Sequence, residues 1–201
     1  MGYHQAGFDV TGVDIKPQPR YPFSFVKADA LEYVAEHGHE FDFIHASPPC
    51  QRYSSGAGKW GTQMDHPDLI PETRLRLRNS GKPYVIENIA PARRRLFHPV
   101  MLCGTMFGLG VFRHRLFETN FDLTPPCEHQ PHMGKIGDGK YHTVAGHAGG
   151  SSKRDGWKNG GTDEWRIAMG IDWMAGNELA ESIPPAYTRW IGEQWMKTRA
   201  R

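Results

Sequence analysis

Hydrophobic and polar positions along this chain alternate in short bursts, and most bursts close on an acid, a proline or a glycine. Phe8 to Ile15 (FDVTGVDI) alternates and then closes on an acid, the pattern of a strand ending at Asp14. Phe23 to Ala28 reads as a second strand, ending at Asp29, and Leu31 to His37 as a short helix after it. Phe41 to Ala46 and Tyr84 to Ile86 are short runs rich in β-branched and aromatic residues, bounded by turn residues, which is the pattern of buried parallel strands. Val100 to Met106 and Arg115 to Asn120 suggest two later strands joined by a Gly-rich turn.

Between these strands the helical period appears only in places. Ile70 to Arg78 reads as a basic amphipathic helix, stopped by Asn79-Ser80-Gly81. Ser54 to Gly61, which contains Trp60 and follows Tyr53, is Gly- and Ser-rich and reads as a mobile loop. From Leu123 to Gly161 large aliphatics nearly vanish, and His, Gly, Lys and Pro take their place. That stretch reads as an insertion with little core of its own. A helix returns over Thr162 to Trp173, with Thr162 as N-cap and Asp163 and Glu164 in its first turn. Asn177 to Ser182 follows as a short helical piece. After the Ile183-Pro184-Pro185 break, Tyr187 to Lys197 is a last amphipathic helix with Trp190, Ile191 and Trp195 inward. The sum is an α/β chain divided as 1–122, an insertion at 123–161, and C-terminal helices at 162–201 that complete the first part.

Composition narrows the class. At 201 residues the chain suits one domain, or one with a small insertion. The net charge of +2 neither demands nor excludes nucleic acid, because a local patch matters more than the total. Three cysteines without a signal peptide argue against a disulfide framework and fit a reducing cytoplasm. No apolar run approaches the ~20 residues of a membrane span.

Two segments carry chemistry. Ser47-Pro48-Pro49-Cys50-Gln51 puts a cysteine on a stiff loop at the end of one apolar run, and Tyr84-Val85-Ile86-Glu87-Asn88-Ile89 ends another in a carboxylate. In doubly wound sheets chemistry collects at the carboxyl ends of strands, so a nucleophile and an acid at two such ends form a candidate active site. Other residues read more plainly. Asp14 and Asp29 suit strand-end turns, Arg74, Arg76 and Arg78 a solvated helix face, and Arg93 to Arg95 an exposed run that suits a phosphate backbone equally. Cys127-Glu128-His129, with His132, His142 and His147 nearby, fits no standard structural zinc spacing, so no metal site is expected.

Taken in order, these motifs resemble those of DNA (cytosine-5) methyltransferases of the compact kind found in phages, over nearly the whole chain. Pro49-Cys50-Gln51 with Ser54 matches the nucleophile motif, and Glu87-Asn88-Ile89 the acid motif with Ile in place of Val. Arg113-His114-Arg115 matches the Arg-x-Arg motif, with Val111 where the family usually carries Gln. Glu181-Ser182-Ile183-Pro184-Pro185 stands at the late Asn-Ala-Val-Pro motif, with Glu at the place of Asn.

The resemblance implies a Rossmann-like sheet, S-adenosyl-L-methionine as methyl donor, and double-stranded DNA as partner, in the cytoplasm of a bacterium or an infected host. It implies catalysis by Cys50, Glu87, Arg113 and Arg115. It implies cofactor contacts from Asp14, Ile15, Asp29, Ala30 and Pro48, and DNA contacts from Gln51, Arg52, Ser54 and Lys59. Sequence readout falls to Leu123–Gly161.

The family's first strand and Gly-rich loop have no counterpart here, since Met1 to Gly7 resembles the end of the helix that follows them. The expectations are a sheet in two halves, weak cofactor binding by the chain as written, and a monomer when complete. Two alternatives stand beside this reading. One is a catalytically silent DNA-binding or decoy module of the same fold. The other is an enzyme acting on free nucleotides through a Pro-Cys nucleophile, whose further motifs do not occur.

Overall fold

The computed structural model describes residues 1–54, 61–135, 138–144 and 160–199. In chain order its helices are α1 (Gly2–Gln5), α2 (Ala30–His37), α3 (Ile70–Asn79), α4 (Thr162–Met169), α5 (Gly176–Glu181) and α6 (Pro185–Arg199). Its strands are β1 (Thr11–Asp14), β2 (Ser24–Lys27), β3 (Ile44–Ala46), β4 (Tyr84–Ile89), β5 (Val100–Leu102) and β6 (Arg115–Thr119). The chain is α/β and its sheets are mixed. β1 and β2 form a parallel pair, and a four-stranded sheet runs β3-β4-β6-β5, with β3–β4 parallel and β4–β6 antiparallel. The residues fall into two compact units, Thr11–Met101 with Arg115–Thr124, and Met1–Val10 with Leu102–His114 and Pro125–Arg201.

The first of these is the sheet unit, and β4 is its axis. Five of the six β4 residues are buried, as an apolar run between two neighbours requires. Tyr84, Ile86 and Leu116 share one sheet face and pack with Ile70 and Leu77 of α3. The sequence places the end of this strand at Ile86. The strand in fact continues to Ile89, because β6 pairs with it as far as Ile89 opposite Arg115. Glu87 therefore lies inside the strand. β1 is shorter than the Phe8–Ile15 pattern suggests, since pairing with β2 begins only at Thr11 opposite Ser24. Among the described residues β1 and β3 each have a strand neighbour on one edge only. β1 stays half-buried throughout, and α2 buries none of its residues fully.

One expectation for α3 is corrected. Arg78 is exposed, and Arg76 pairs with Glu72 one turn away at 2.8 Å, as a solvated face allows. Arg74 instead is only 7 % exposed and reaches the sheet. Its Nε and Nη2 donate to Oε1 and Oε2 of Glu118 at 2.6 and 2.7 Å, and Nη2 also donates to the Arg95 carbonyl at 2.6 Å. Phe97 lays its ring 4.0 Å from the Arg74 Cζ and donates its N–H to Glu118 Oε2 at 2.8 Å. Arginine suits such a place because its flat fork meets a carboxylate at two points and stacks on a ring.

The second unit is helical. Tyr3 and Phe8 meet edge-on at 5.6 Å, and Phe8 meets Trp195 of α6 at 5.4 Å. Close approach needs glycine here: a Cβ on Gly2 would fall 2.1 Å from the Pro185 carbonyl oxygen. α6 buries Tyr187, Ile191 and Trp195, while Trp190, expected inward, is half-exposed beside Lys197. α4 ends at Met169, short of Trp173, because Gly170 turns left-handed at φ 67°. Its cap is Gly161, whose N–H donates to Glu164 at 2.8 Å, and Thr162 is the first helical residue. Trp165, Ala168, Met169, Ile171 and Leu179 build the core with Val111 and Val144, so the aliphatic-poor stretch contributes at least one core residue. Among the described residues no helix is long and apolar enough to cross a membrane.

The Arg74–Glu118 pair yields a stability prediction. Arg74→Met strands a buried carboxylate and should cost about 3–5 kcal/mol in urea unfolding, while Arg74→Met with Glu118→Leu should recover part of the loss. A single variant within about 1 kcal/mol of wild type contradicts this role for the pair.

Candidate active site

The order β3-β4-β6 brings the chemistry-bearing residues of the sheet unit to one end. β3 and β4 run parallel with Ala46 opposite Ile86, so the chain leaves β3 at the level of Glu87. It then enters Ser47-Pro48-Pro49-Cys50. Pro48 is buried and Cys50 half-buried, and Cys50 begins a single 3-10 turn over Gln51–Tyr53. Asn88 ties this loop to the sheet. Its Nδ2 donates to the Pro48 carbonyl at 2.9 Å, and its Oδ1 accepts the Ile89 N–H at 3.0 Å. The carbonyl that precedes Pro49-Cys50 is thus fixed by the residue that follows Glu87.

Glu87 faces the opposite side of the sheet from Asn88. Its direct partner across the ladder is Phe117, and Arg115 stands two residues away on the same face of β6. Side chains on such a diagonal are within reach of one another when they are long. Arg115 Nε lies 3.0 Å from Glu87 Oε1, with the side chains 16 % and 9 % exposed. The pair is a preformed, largely dry carboxylate–guanidinium contact beside the Cys50 loop.

The turn after Cys50 is braced from outside. The Tyr53 hydroxyl donates to Asp68, which also takes Arg95 Nε at 3.0 Å. Burial, then the Asp68 carboxylate, push the Tyr53 phenol well above its ordinary value, so it stays a donor. Arg52 reaches the His66 carbonyl at 3.4 Å, Gln51 is exposed, and Ser54 is half-buried. Lys59, Trp60 and most of the Ser54–Gly61 loop lie outside the described residues. In β3, burial pushes His45 down to about 4, so the strand leading to Cys50 carries a neutral imidazole at neutral pH.

Asp14, Ile15, Asp29 and Ala30 stand at the carboxyl ends of β1 and β2. Asp14 closes its turn by accepting Lys16 N–H at 2.8 Å and Gln18 Nε2 at 3.1 Å. Asp29 caps α2, one carboxylate oxygen taking the Leu31 and Glu32 N–H groups at 2.8 and 3.2 Å. Beside Asp14, Ile15 is 64 % exposed.

Arg113 belongs to the helical unit, where its guanidinium donates to main-chain carbonyls. Nε donates to Ser182 O at 2.8 Å, Nη1 to Val144 O at 2.7 Å and Nη2 to Ala180 O at 2.8 Å. Tyr187 returns a hydroxyl to the Arg113 carbonyl at 3.0 Å. Its backbone sits at φ 32°, a left-handed position rare for a side chain of this size. The guanidinium bonds to Ser182 and Ala180 hold the Ser182 turn against Arg113.

The helical unit also collects residues that their spacing did not connect. Cys103, His114, His129 and His132 converge, with their ligating atoms within 4.8 Å of one another. Cys103 and His114 had no part in the sequence reading of metal ligands. The signal that marks Cys103 is the following Gly104, where a Cβ would fall 2.0 Å from the Val111 carbonyl oxygen. In the sheet unit a concavity lined by Arg78, Lys82, Tyr84, Phe97, His98 and Asn120 opens near the start of β4, the end away from Glu87.

Comparison with known proteins finds no family model that matches the chain and no curated protein that matches it.

The Asn88 tie is testable. Asn88→Ala leaves a buried carbonyl without its donor, at an expected cost of about 1–3 kcal/mol. Alkylation of Cys50, followed by peptide mass spectrometry, should also quicken as the loop loosens. Unchanged stability together with an unchanged alkylation rate means that the bond does not hold the loop.

Proposed function

We propose that this chain acts as a DNA (cytosine-5) methyltransferase of Rossmann-like architecture, with Cys50 as nucleophile, Glu87 as acid–base group and Arg115 as its orienting partner. The observation that carries the reading is the Glu87–Arg115 pair at 3.0 Å, at the level where β3 gives way to the Cys50 loop. A nucleophile on the loop after β3, with a carboxylate inside β4 and a guanidinium at the start of β6, supplies the groups that activation of a cytosine ring requires.

Carbon 5 of cytosine is too weak a nucleophile to take a methyl group directly. In the proposed reaction the Cys50 thiolate adds to carbon 6, and the displaced electron pair moves toward ring nitrogen 3. Glu87 holds that nitrogen and supplies its proton. Arg115 fixes the carboxylate and binds the base oxygen. Carbon 5 of the resulting enamine would take the methyl group as the methyl–sulfonium bond breaks and the donor leaves as a neutral thioether. A base then removes the carbon 5 proton, the Cys50 sulfur–carbon bond breaks to return the thiolate, and Glu87 takes back the nitrogen 3 proton. The target base lies inside the duplex, so it must first be flipped out, at roughly a few kcal/mol. Gln51, Arg52 and Ser54 follow the nucleophile and are assigned to the DNA. Lys59 stays with them on the sequence resemblance alone.

The methyl donor in this reading is S-adenosyl-L-methionine, whose sulfonium supplies an activated methyl group. Asp14, Ile15, Asp29 and Ala30 fit its adenosine half. An exposed aliphatic surface at Ile15 suits a purine face, and two carboxylates at adjacent strand ends suit ribose hydroxyls and the adenine amino group. Arg113 holds the turn of the late motif in place.

Covalent trapping tests the proposal. With S-adenosyl-L-methionine present, duplexes carrying 5-fluorocytosine should form an adduct that survives denaturing electrophoresis and maps to Cys50. Cys50→Ser should abolish the adduct, and Glu87→Gln should slow its formation by ~10²-fold or more. A chain that binds the duplex and never traps is the silent module, and the proposal then fails.

A further inference from the structure

We propose that the helical unit binds a zinc ion through Cys103, His114, His129 and His132, in a closed site whose role is structural. The four come from two segments, Leu102–His114 and the Pro125–Tyr141 stretch, in the spacing Cys-x10-His-x14-His-x2-His. No short spacing rule finds it, because the first two ligands are far from the last two in sequence.

The geometry is that of a ligand set. His129 Nε2 lies 3.1 Å from His114 Nε2 and 3.0 Å from His132 Nε2, and Cys103 Sγ lies 3.3 Å from His132 Nε2. With zinc–nitrogen and zinc–sulfur bonds of ~2.0 and ~2.3 Å, the edges of a tetrahedral shell are roughly 3.3–3.6 Å, close to these separations. The three imidazoles present the same nitrogen to one point. As a hydrogen-bonded cluster this is poor, since His129 Nε2 faces two further ring nitrogens and carries at most one hydrogen. One cation satisfies all the converging lone pairs together. A thiolate and three imidazoles are ligands that zinc accepts readily.

The surroundings orient the ligands. Cys103 is fully buried and its sulfur lies 3.1 Å from the Thr105 hydroxyl. Gly104 N–H donates to the Phe112 carbonyl at 2.8 Å, which sets the turn that presents Cys103. Phe112 stacks on the His132 ring at 3.7 Å, nearly parallel, and Tyr141 covers Phe112 at 4.6 Å. Supports of this kind fix ring orientation in metal sites. Cys127, beside His129 in sequence, is exposed and stands outside the cluster.

Four protein ligands fill a tetrahedral shell, so no position is left for substrate or water. The ion would staple the Pro125–Tyr141 stretch, which has few aliphatic residues, to the segment that carries Arg113. Zinc thereby replaces a core that this composition does not provide.

The test uses the full chain, purified without added chelator. It should carry one zinc per chain by elemental mass spectrometry. Replacement by cobalt(II) should give the visible bands of a tetrahedral site with a thiolate-to-metal charge-transfer band. His129→Ala should weaken metal affinity by at least ~10-fold, and Cys103→Ser should remove the charge-transfer band. Cys127→Ser should keep both the metal and the spectrum. Should the ligand variants fail to fold, the wild-type metal content and cobalt spectrum still decide. Less than a tenth of an equivalent of zinc, with no tetrahedral cobalt spectrum and no change of melting temperature on zinc addition, overturns the proposal.

Discussion

The pairing register of β4 against β6 is the constraint on which the sheet unit depends. With Glu87 opposite Phe117, successive residues of each strand alternate between two faces. On one face Arg115 meets Glu87. On the other, Glu118 accepts Arg74, and Tyr84, Ile86 and Leu116 meet the apolar side of α3. One register therefore sets the candidate chemistry above the sheet and the buried ion pair below it. A slip of one residue would move Glu118 to the chemical face and turn Arg115 toward the α3 core, leaving charges buried without partners. The desolvation cost of that outcome makes the ion pairs as much a lock on register as a source of stability.

The two units solve different problems of composition. The sheet unit has aliphatic strands and buries them conventionally, save for β1, β2 and α2, where half-exposed residues dominate. The helical unit has fewer aliphatics and relies on aromatic contacts, on Arg113 binding three carbonyl groups, and on the cysteine–histidine cluster. Polar groups hold segments well when their donors find acceptors, and Arg113 has contacts at all three of its nitrogens. Its strained backbone is tolerated because those contacts and the Tyr187 hydroxyl fix it from several sides.

Much of this was legible in the sequence where the deciding physics is local. The strands before Cys50 and around Glu87, the acids closing β1 and β2, and the helix before Asn79 follow from short-range pattern and turn chemistry. The extension of β4 to Ile89 was not legible, because its partner β6 lies across the sheet and not next in sequence. Arg74 looked like its neighbours Arg76 and Arg78, and only Glu118, 44 residues away, makes it a buried residue. The end of α4 at Gly170 was readable in principle, since glycine favours the left-handed turn that stops a helix, but the apolar residues beyond it masked the signal. The convergence of Cys103 with His114, His129 and His132 required the turn at Gly104 and the Phe112 stack, neither of which has a spacing rule.

The central claim is that Cys50 activates carbon 5 of a cytosine by adding to carbon 6, with Glu87 assisting at nitrogen 3. Addition makes carbon 5 nucleophilic, so its hydrogen should exchange with solvent on every productive encounter. The direct measurement is release of tritium from duplex DNA labelled at cytosine carbon 5, for the wild type, Cys50→Ser and Glu87→Gln. The account predicts release by the wild type, none by Cys50→Ser, and a rate lower by ~10²-fold for Glu87→Gln. Release by Cys50→Ser at the wild-type rate, or no release by a wild type that binds the duplex, contradicts it.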